Sequence, residues 1–175
     1  EEKIKYLKSK NEKSLININK KLYNSSMGAY LHFDLRNGKN IPLICSSSFS
    51  PLFCGAPDLE MAEKLKSTLM EKFGKHDYYL CSSFDPEGKQ HDQKKYWRGP
   101  VWINLNWILY HGLRRYKFEE TAKRVKNDSL ELVDTLGFYE YFNPSKKTSK
   151  ESNKGYGGEN FSWTAALTID FLSEK

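Results

Sequence analysis

Apolar residues recur at helical spacing in five stretches of this chain, divided by glycine, proline and asparagine. Leu7, Leu15, Ile18 and Leu22 form one stripe of a leading helix whose other faces are lysine and asparagine, and which ends before Gly28. Leu59, Ala62, Leu65, Leu69 and Phe73 predict a second helix, opening near Pro57 and closing at Gly74. A third runs from Pro100, suited to the first helical position, to Tyr116. It is apolar on more than one side, with Trp102, Leu105, Leu109 and Leu113 on one face and Val101 and Ile108 on another, as expected of a helix packed on both sides. The fourth, from about Phe118 to Leu136, has acids in its first turn, a single stripe of Ala122, Val125, Leu132, Val133 and Leu136, and Gly137 as its stop, the pattern of an outer helix. The last, Phe161 to Leu172, is apolar nearly all round and reads as a buried helix.

The intervening segments are short or turn-rich. Tyr30 to Asp34 and Asn40 to Leu43 flank Asn37-Gly38, a strong hairpin signal. Residues 75–95 read as a loop with a turn at Asp85-Pro86-Glu87-Gly88. Inner and outer helices joined by short turns, with elaborate loops at one end, predict an all-α toroid of helical hairpins. Its five or six helices leave one inner wall facing nothing that these residues provide.

Length and charge narrow the class. The 175 residues suffice for a core without staples. No apolar run approaches the roughly 20 residues of a membrane span, and Glu1 to Lys10 lacks a signal-peptide core, so neither a membrane nor secretion is expected. The net charge of +6 is local: residues 1–24 carry seven lysines against three glutamates, and residues 145–154 carry four lysines against one glutamate. The aromatic-rich remainder is nearly neutral, which reads as two solvated faces rather than a nucleic-acid surface. Cys45, Cys54 and Cys81 are odd in number and lack metal-ligand spacing, and are expected as buried, reduced thiols of a cytoplasmic protein. His32, His76, His91 and His111 are scattered singly, so no metal site and no cofactor are expected.

Three segments carry the candidate chemistry. Tyr96 to Trp107 holds three tryptophans, an arginine and two asparagines in twelve residues. Aromatic faces suit the C–H faces of sugar rings, while Arg and Asn supply directed hydrogen bonds to hydroxyls. Tyr96, Trp97 and Arg98 precede the helix and read as site residues, whereas Trp102 and Trp107 can also be read as core. In Gly137 to Pro144, Glu140 sits among four aromatic residues, where a carboxylate loses solvation and becomes suited to acid–base work; the alternative is a solvated glutamate on an alternating strand. Gly155 to Thr164 is glycine-rich without the phosphate-loop pattern, and Glu159-Asn160 at its helix start suits a flap over a polar ligand.

Taken together, YWRGPVWINLNW, GFYEYFNP and FSWTAAL in this order, with SSSFSPLFCG before them, resemble the C-terminal part of the catalytic domain of glycoside hydrolase family 63. The resemblance is to its mannosylglycerate and glucosylglycerate hydrolase branch, and more distantly to trehalases. It implies an (α/α)6 barrel of which residues 1–175 form the C-terminal portion, and inverting hydrolysis of an α-glycosidic bond in a small carbohydrate. It puts the general base at Glu140, the sugar subsite at Tyr96, Trp97 and Trp102, Arg98 at its edge, and a flap residue near the aglycone at Glu159. The family more commonly carries an uncharged amide there, and a carboxylate disfavours an acidic aglycone. The Lys-rich stretch 145–154 is also longer than the family's short turn. Inversion needs two carboxyl groups roughly 6.5–9.5 Å apart. The resemblance implies an acid upstream, on a remainder of the barrel that acts as this chain's partner; Asp77, Asp85 and Asp92 are weak substitutes. The alternative function is a sugar-binding or scaffold module that keeps the aromatic subsite without chemistry.

Overall fold

The computed structural model describes residues 1–75, 77–147 and 154–174. His76 and residues 148–153 of the Lys-rich stretch lie outside the described residues. Helix α1 (Glu2–Leu22) buries no residue fully; Ile18 and Leu22 at its end lean on the core, and Asn19 donates to the Ala56 carbonyl at 2.6 Å. Two short ribbons follow. Strands β1 (Tyr23–Asn24) and β2 (Ala29–Tyr30) pair antiparallel, and β3 (His32–Asp34) pairs with β4 (Lys39–Ile41) around the expected Asn37-Gly38 turn. Tyr30 is therefore not in the predicted hairpin. Its hydroxyl donates to Asn19 and its ring meets Tyr23, which hold it in the first ribbon against α1.

A short 3-10 turn (Ser46–Phe49) and the one-turn helix α2 (Pro51–Cys54) lead to α3 (Leu59–Phe73). This helix opens at Leu59 rather than Pro57 because the Asp58 carboxylate accepts from the Met61 N–H at 2.8 Å, an N-cap. The next difference is larger. Pro100, Val101 and Trp102 are extended, and α4 spans Ile103–Arg115. Val101 exchanges backbone hydrogen bonds with Phe142 at 2.8 and 2.9 Å and bridges to Ser82, so pairing wins over helix propensity at this entry. Helix α5 (Glu119–Leu136) ends at Gly137, whose φ of +93° suits glycine. Strands β5 (Tyr141–Phe142) and β6 (Gly155–Tyr156) form a third antiparallel ribbon, and α6 (Ser162–Ser173) closes the described chain.

Helix α4 is the hub, packed against α5, α6 and α2. A Cβ at Gly112 would lie 2.8 Å from Leu52 Cβ and 2.9 Å from the Phe53 nitrogen, so glycine lets α2 cross α4 closely. Leu65, Leu69, Phe73, Leu109, Leu113 and Val125 fill the core between α3, α4 and α5. The buried stripe of α5 also includes Asp128 and Ser129. Asp128 accepts from the Leu80 N–H at 2.8 Å and from Lys146 at 2.7 Å. Fully buried Asn106 accepts from the Cys81 N–H at 3.2 Å and donates to the Leu80 carbonyl at 3.1 Å and to Ser129 at 2.9 Å. These polar residues fasten the segment after α3 to α4 and α5.

Helix α6 buries only Thr164, Thr168 and Phe171, while Trp163, Ile169 and Leu172 are exposed; the helix read as buried thus presents the apolar wall that these residues leave uncovered. The expectation for the thiols changes. Of the thiols, only Cys81 is buried; Cys45 is half-buried and Cys54 exposed. No helix among the described residues is long and apolar enough to cross a membrane.

Candidate active site

The loop before α4 is drawn tight by its own backbone. Asp92 donates to the Arg98 carbonyl at 2.7 Å and Arg98 to the Lys95 carbonyl at 2.7 Å. The fold then stacks the aromatic residues. Trp102 is 1% exposed and its indole N–H donates to the Tyr96 carbonyl at 2.9 Å. Trp97, 51% exposed, lies on one face of Trp102 at 4.1 Å and 12°, and Tyr141 on the other at 5.0 Å and 20°. Tyr156 extends the stack from Tyr141 at 5.5 Å. Tyr96 meets both Trp102 and Tyr141 edge-on, at 4.6 and 5.0 Å.

Glu140 stands at the edge of this stack. It leaves the Gly137 stop, donates its backbone N–H to the Tyr156 carbonyl at 3.1 Å, and is half-buried. The Tyr96 hydroxyl donates to Glu140 Oε1. That hydrogen bond, with smaller contributions from burial and the carboxylate's charge, holds the Tyr96 proton and raises the phenol above its ordinary range. Burial first, then the charge of Glu140, raises Tyr141 likewise. Gly157 passes over Glu140 with φ of +78°, and a Cβ there would lie 2.6 Å from Glu140 Cβ. Only glycine suits both the backbone and the space.

The residues singled out from the sequence are thus partly gathered. Tyr96, Trp97, Trp102 and Glu140 come together, but Trp102 lies buried within the stack and offers no free face, whereas Trp97 is the exposed indole. Arg98 turns aside: its Nε donates to the Gln90 carbonyl at 2.8 Å, and it lines a cavity of about 470 Å3 with Trp97, His32 and Cys45. Glu159 is exposed and accepts from the Tyr139 hydroxyl at 3.0 Å. Its carboxylate raises the Tyr139 phenol, chiefly through that bond. Tyr141, Tyr156 and Gly157 were not singled out; for Tyr141, its place beside Glu140 in an aromatic run was the available signal. The substitute acids are engaged in their own loops. Asp77 faces Lys147 at 3.5 Å, Asp85 faces Lys72 at 3.8 Å, and the Lys94 N–H holds the Asp92 carboxyl below its usual range.

Folding also gathers a set that spacing did not show. Donor atoms of His111, Asp170 and Glu174 lie within 4.8 Å of one another. Asp170 already accepts from the Trp107 indole at 2.6 Å, and Glu174 from Tyr110 at 2.8 Å and Arg114 at 2.5 Å. The Arg114 cation opposes a second one there, and the set ties α6 to α4.

A half-buried carboxylate with one oxygen fixed by a phenol, beside an exposed indole face, is suited to take a proton from water next to a sugar ring. Comparisons with known proteins follow the same direction. Residues 3–164 match the model of the mannosylglycerate hydrolase MGH1-like glycoside hydrolase domain. The chain is 37% identical over 160 residues to mannosylglycerate hydrolase of Rubrobacter radiotolerans, covering 90% of this chain and 35% of that protein. The crystal structure of a Thermus thermophilus mannosylglycerate hydrolase in complex with glucose superposes with a TM-score of 0.79 at 39% identity, over 87% of this chain and 37% of that one. Neutral trehalase Nth1 of Saccharomyces cerevisiae shares the fold, with a TM-score of 0.70 at 17% identity over 90% of this chain and 28% of that one. The helical hairpins described above are those of an (α/α)6 barrel, and the chain spans about a third of the length of the relatives it matches.

Proposed function

Because the chain belongs to the mannosylglycerate hydrolase MGH1-like glycoside hydrolase domain family, we propose that it forms the C-terminal portion of an (α/α)6 hydrolase of α-glycosidic bonds, with Glu140 as general base. The observation that carries this reading is the contact between the Tyr96 hydroxyl and Glu140 Oε1, which orients a carboxylate at the rim of the aromatic stack. Trp97 receives the apolar face of the sugar. Glu140 removes a proton from a water, whose oxygen attacks the anomeric carbon from the side opposite the leaving oxygen, so configuration inverts. The leaving oxygen takes its proton from an acid on the remainder of the barrel.

The substrate is a small α-glycoside of the mannosylglycerate or glucosylglycerate kind. Glu159 accepts from the Tyr139 hydroxyl at 3.0 Å, and a carboxylate at the flap disfavours an acidic aglycone, so neutral α-glycosides belong in the test. Three unpaired thiols fit a reducing compartment, the cytoplasm. The test is hydrolysis by the full-length protein of mannosylglycerate, glucosylglycerate and a panel of neutral α-glycosides, with product anomers followed by NMR. Glu140→Gln keeps the size of the side chain and an acceptor for Tyr96 yet removes the base, and should lower kcat by about 10²–10⁴-fold. Wild-type inactivity across the panel, or a Glu140→Gln variant that retains turnover, overturns the reading. Saturable sugar binding without turnover would instead identify a binding module.

A further inference from the structure

The three thiols have different surroundings. Cys81 is buried, and burial pushes its thiol well above the ordinary range. Cys54 is exposed at the end of α2 and donates to the Pro51 carbonyl at 3.4 Å. Cys45 is set among polar atoms. Its sulfur lies 3.2 Å from His32 Nε2 and 3.1 Å from Ser47 Oγ, and Ser47 Oγ is itself 3.2 Å from the same Nε2. Ser48 Oγ stands 3.7 Å from the sulfur. Strand β3 supplies the histidine and the start of the 3-10 turn supplies the cysteine.

This triangle forms part of the wall of the cavity of about 470 Å3 that Trp97 and Arg98 also line. Phe84 and Leu105 make another part of the wall apolar, and no carboxylate lines it among the described residues. A thiolate, not a thiol, is the nucleophile; an imidazole at hydrogen-bond distance can take the proton, and hydroxyl donors can stabilise the sulfur anion. The guanidinium of Arg98 adds a preference for negative charge at the same opening.

We propose that Cys45, paired with His32, is a nucleophilic thiol that forms mixed disulfides with small anionic disulfides entering this cavity. His32 takes the thiol proton, and the Cys45 sulfur attacks one sulfur of the reagent. The reagent's S–S bond breaks as the Cys45 S–S bond forms, and the other half leaves as a thiolate that takes up the proton. The reagent disulfide is the oxidant, reduced to one thiol while Cys45 is oxidised to the mixed disulfide.

The experiment exposes the native, full-length protein to limiting amounts of two disulfides: dithiobis(nitrobenzoate), which is aromatic and dianionic, and cystamine, which is dicationic. Adducts are located by peptide mass. Dithiobis(nitrobenzoate) should modify Cys45 first, at least about tenfold faster than Cys54, and a dithiol should reverse the adduct. His32→Gln should slow Cys45 by about tenfold or more while leaving the rate at Cys54 unchanged, and the Cys54 rate reports that the fold is intact. Arg98→Gln should reduce the ratio of the dianionic to the dicationic rate. Modification of Cys54 ahead of Cys45, or a Cys45 rate that His32→Gln does not change, overturns the pairing. A ratio insensitive to Arg98→Gln overturns the preference for anions.

Discussion

Gly157 offers a perturbation whose two consequences can be separated. Its φ of +78° costs an alanine about 1–2 kcal/mol in the left-handed region. Gly38, at the tip of the β3–β4 hairpin, has a similar φ of +69° but open space around its Cβ position. Gly38→Ala should therefore pay the backbone penalty alone, with catalysis unchanged. Gly157→Ala also brings its Cβ to 2.6 Å from Glu140 Cβ, where ordinary contact begins at 3.4 Å. Glu140 must retreat by about 0.8 Å, and a misplacement of that order in a catalytic group costs on the order of 10²-fold in rate. Both variants should thus lose about 1–2 kcal/mol in chemical unfolding, with a further loss at position 157, but only Gly157→Ala should lose about 10²-fold in kcat. Parallel urea titrations and initial-rate measurements on the full-length proteins decide it. If kcat of Gly157→Ala stays within about threefold of Gly38→Ala, the close passage of Gly157 over Glu140 is not what positions the proposed base.

Other outcomes follow from the same geometry. Asn106→Ala strands the Cys81 N–H and the Leu80 carbonyl in the interior and should cost about 3–4 kcal/mol, seen as a fall of about 1–2 M in the urea midpoint. The two stacked indoles should separate: Trp102→Ala empties a buried site and destabilises by about 3–5 kcal/mol, whereas Trp97→Ala leaves stability nearly unchanged and weakens sugar binding in calorimetry. Burial holds the His91 imidazole below its ordinary range, against the opposing charges of Asp85 and Asp92. The unfolded chain then binds that proton at higher pH than the folded one, so acidification from about pH 7 to about pH 5 should lower stability, and His91→Asn should flatten this part of the curve in pH-dependent thermal unfolding.

Helical stripes were legible wherever burial came from one face. Leu65, Leu69 and Phe73 of α3, and Val125 and Leu132 of α5, occupy the core as their spacing indicates. The entry to α4 was not legible, because Val101 and Trp102 are apolar in either conformation and a backbone partner about forty residues away, Phe142, decides between them. The all-apolar α6 reads as a helix that needs neighbours on every side, and periodicity alone cannot tell which of its faces these residues cover and which they leave exposed. At the site, Tyr96, Trp97 and Glu140 could be singled out one at a time, and the fold brings them together. Their order in space was not legible: Trp102 lies beneath Trp97 where the distant Phe142 holds Val101 extended, and Arg98 turns toward Gln90 through the irregular backbone of its own loop.

The stacking of Trp97 on Trp102, at 4.1 Å and 12°, makes the site its own optical reporter. Two indoles at that separation share their excited states, with Tyr141 a further ring in the column. A molecule settling on the exposed face of Trp97 perturbs absorbing groups that are already coupled, and the near-ultraviolet circular dichroism should change. Occupancy of this surface can thus be followed in solution without a label, a chromogenic substrate or turnover.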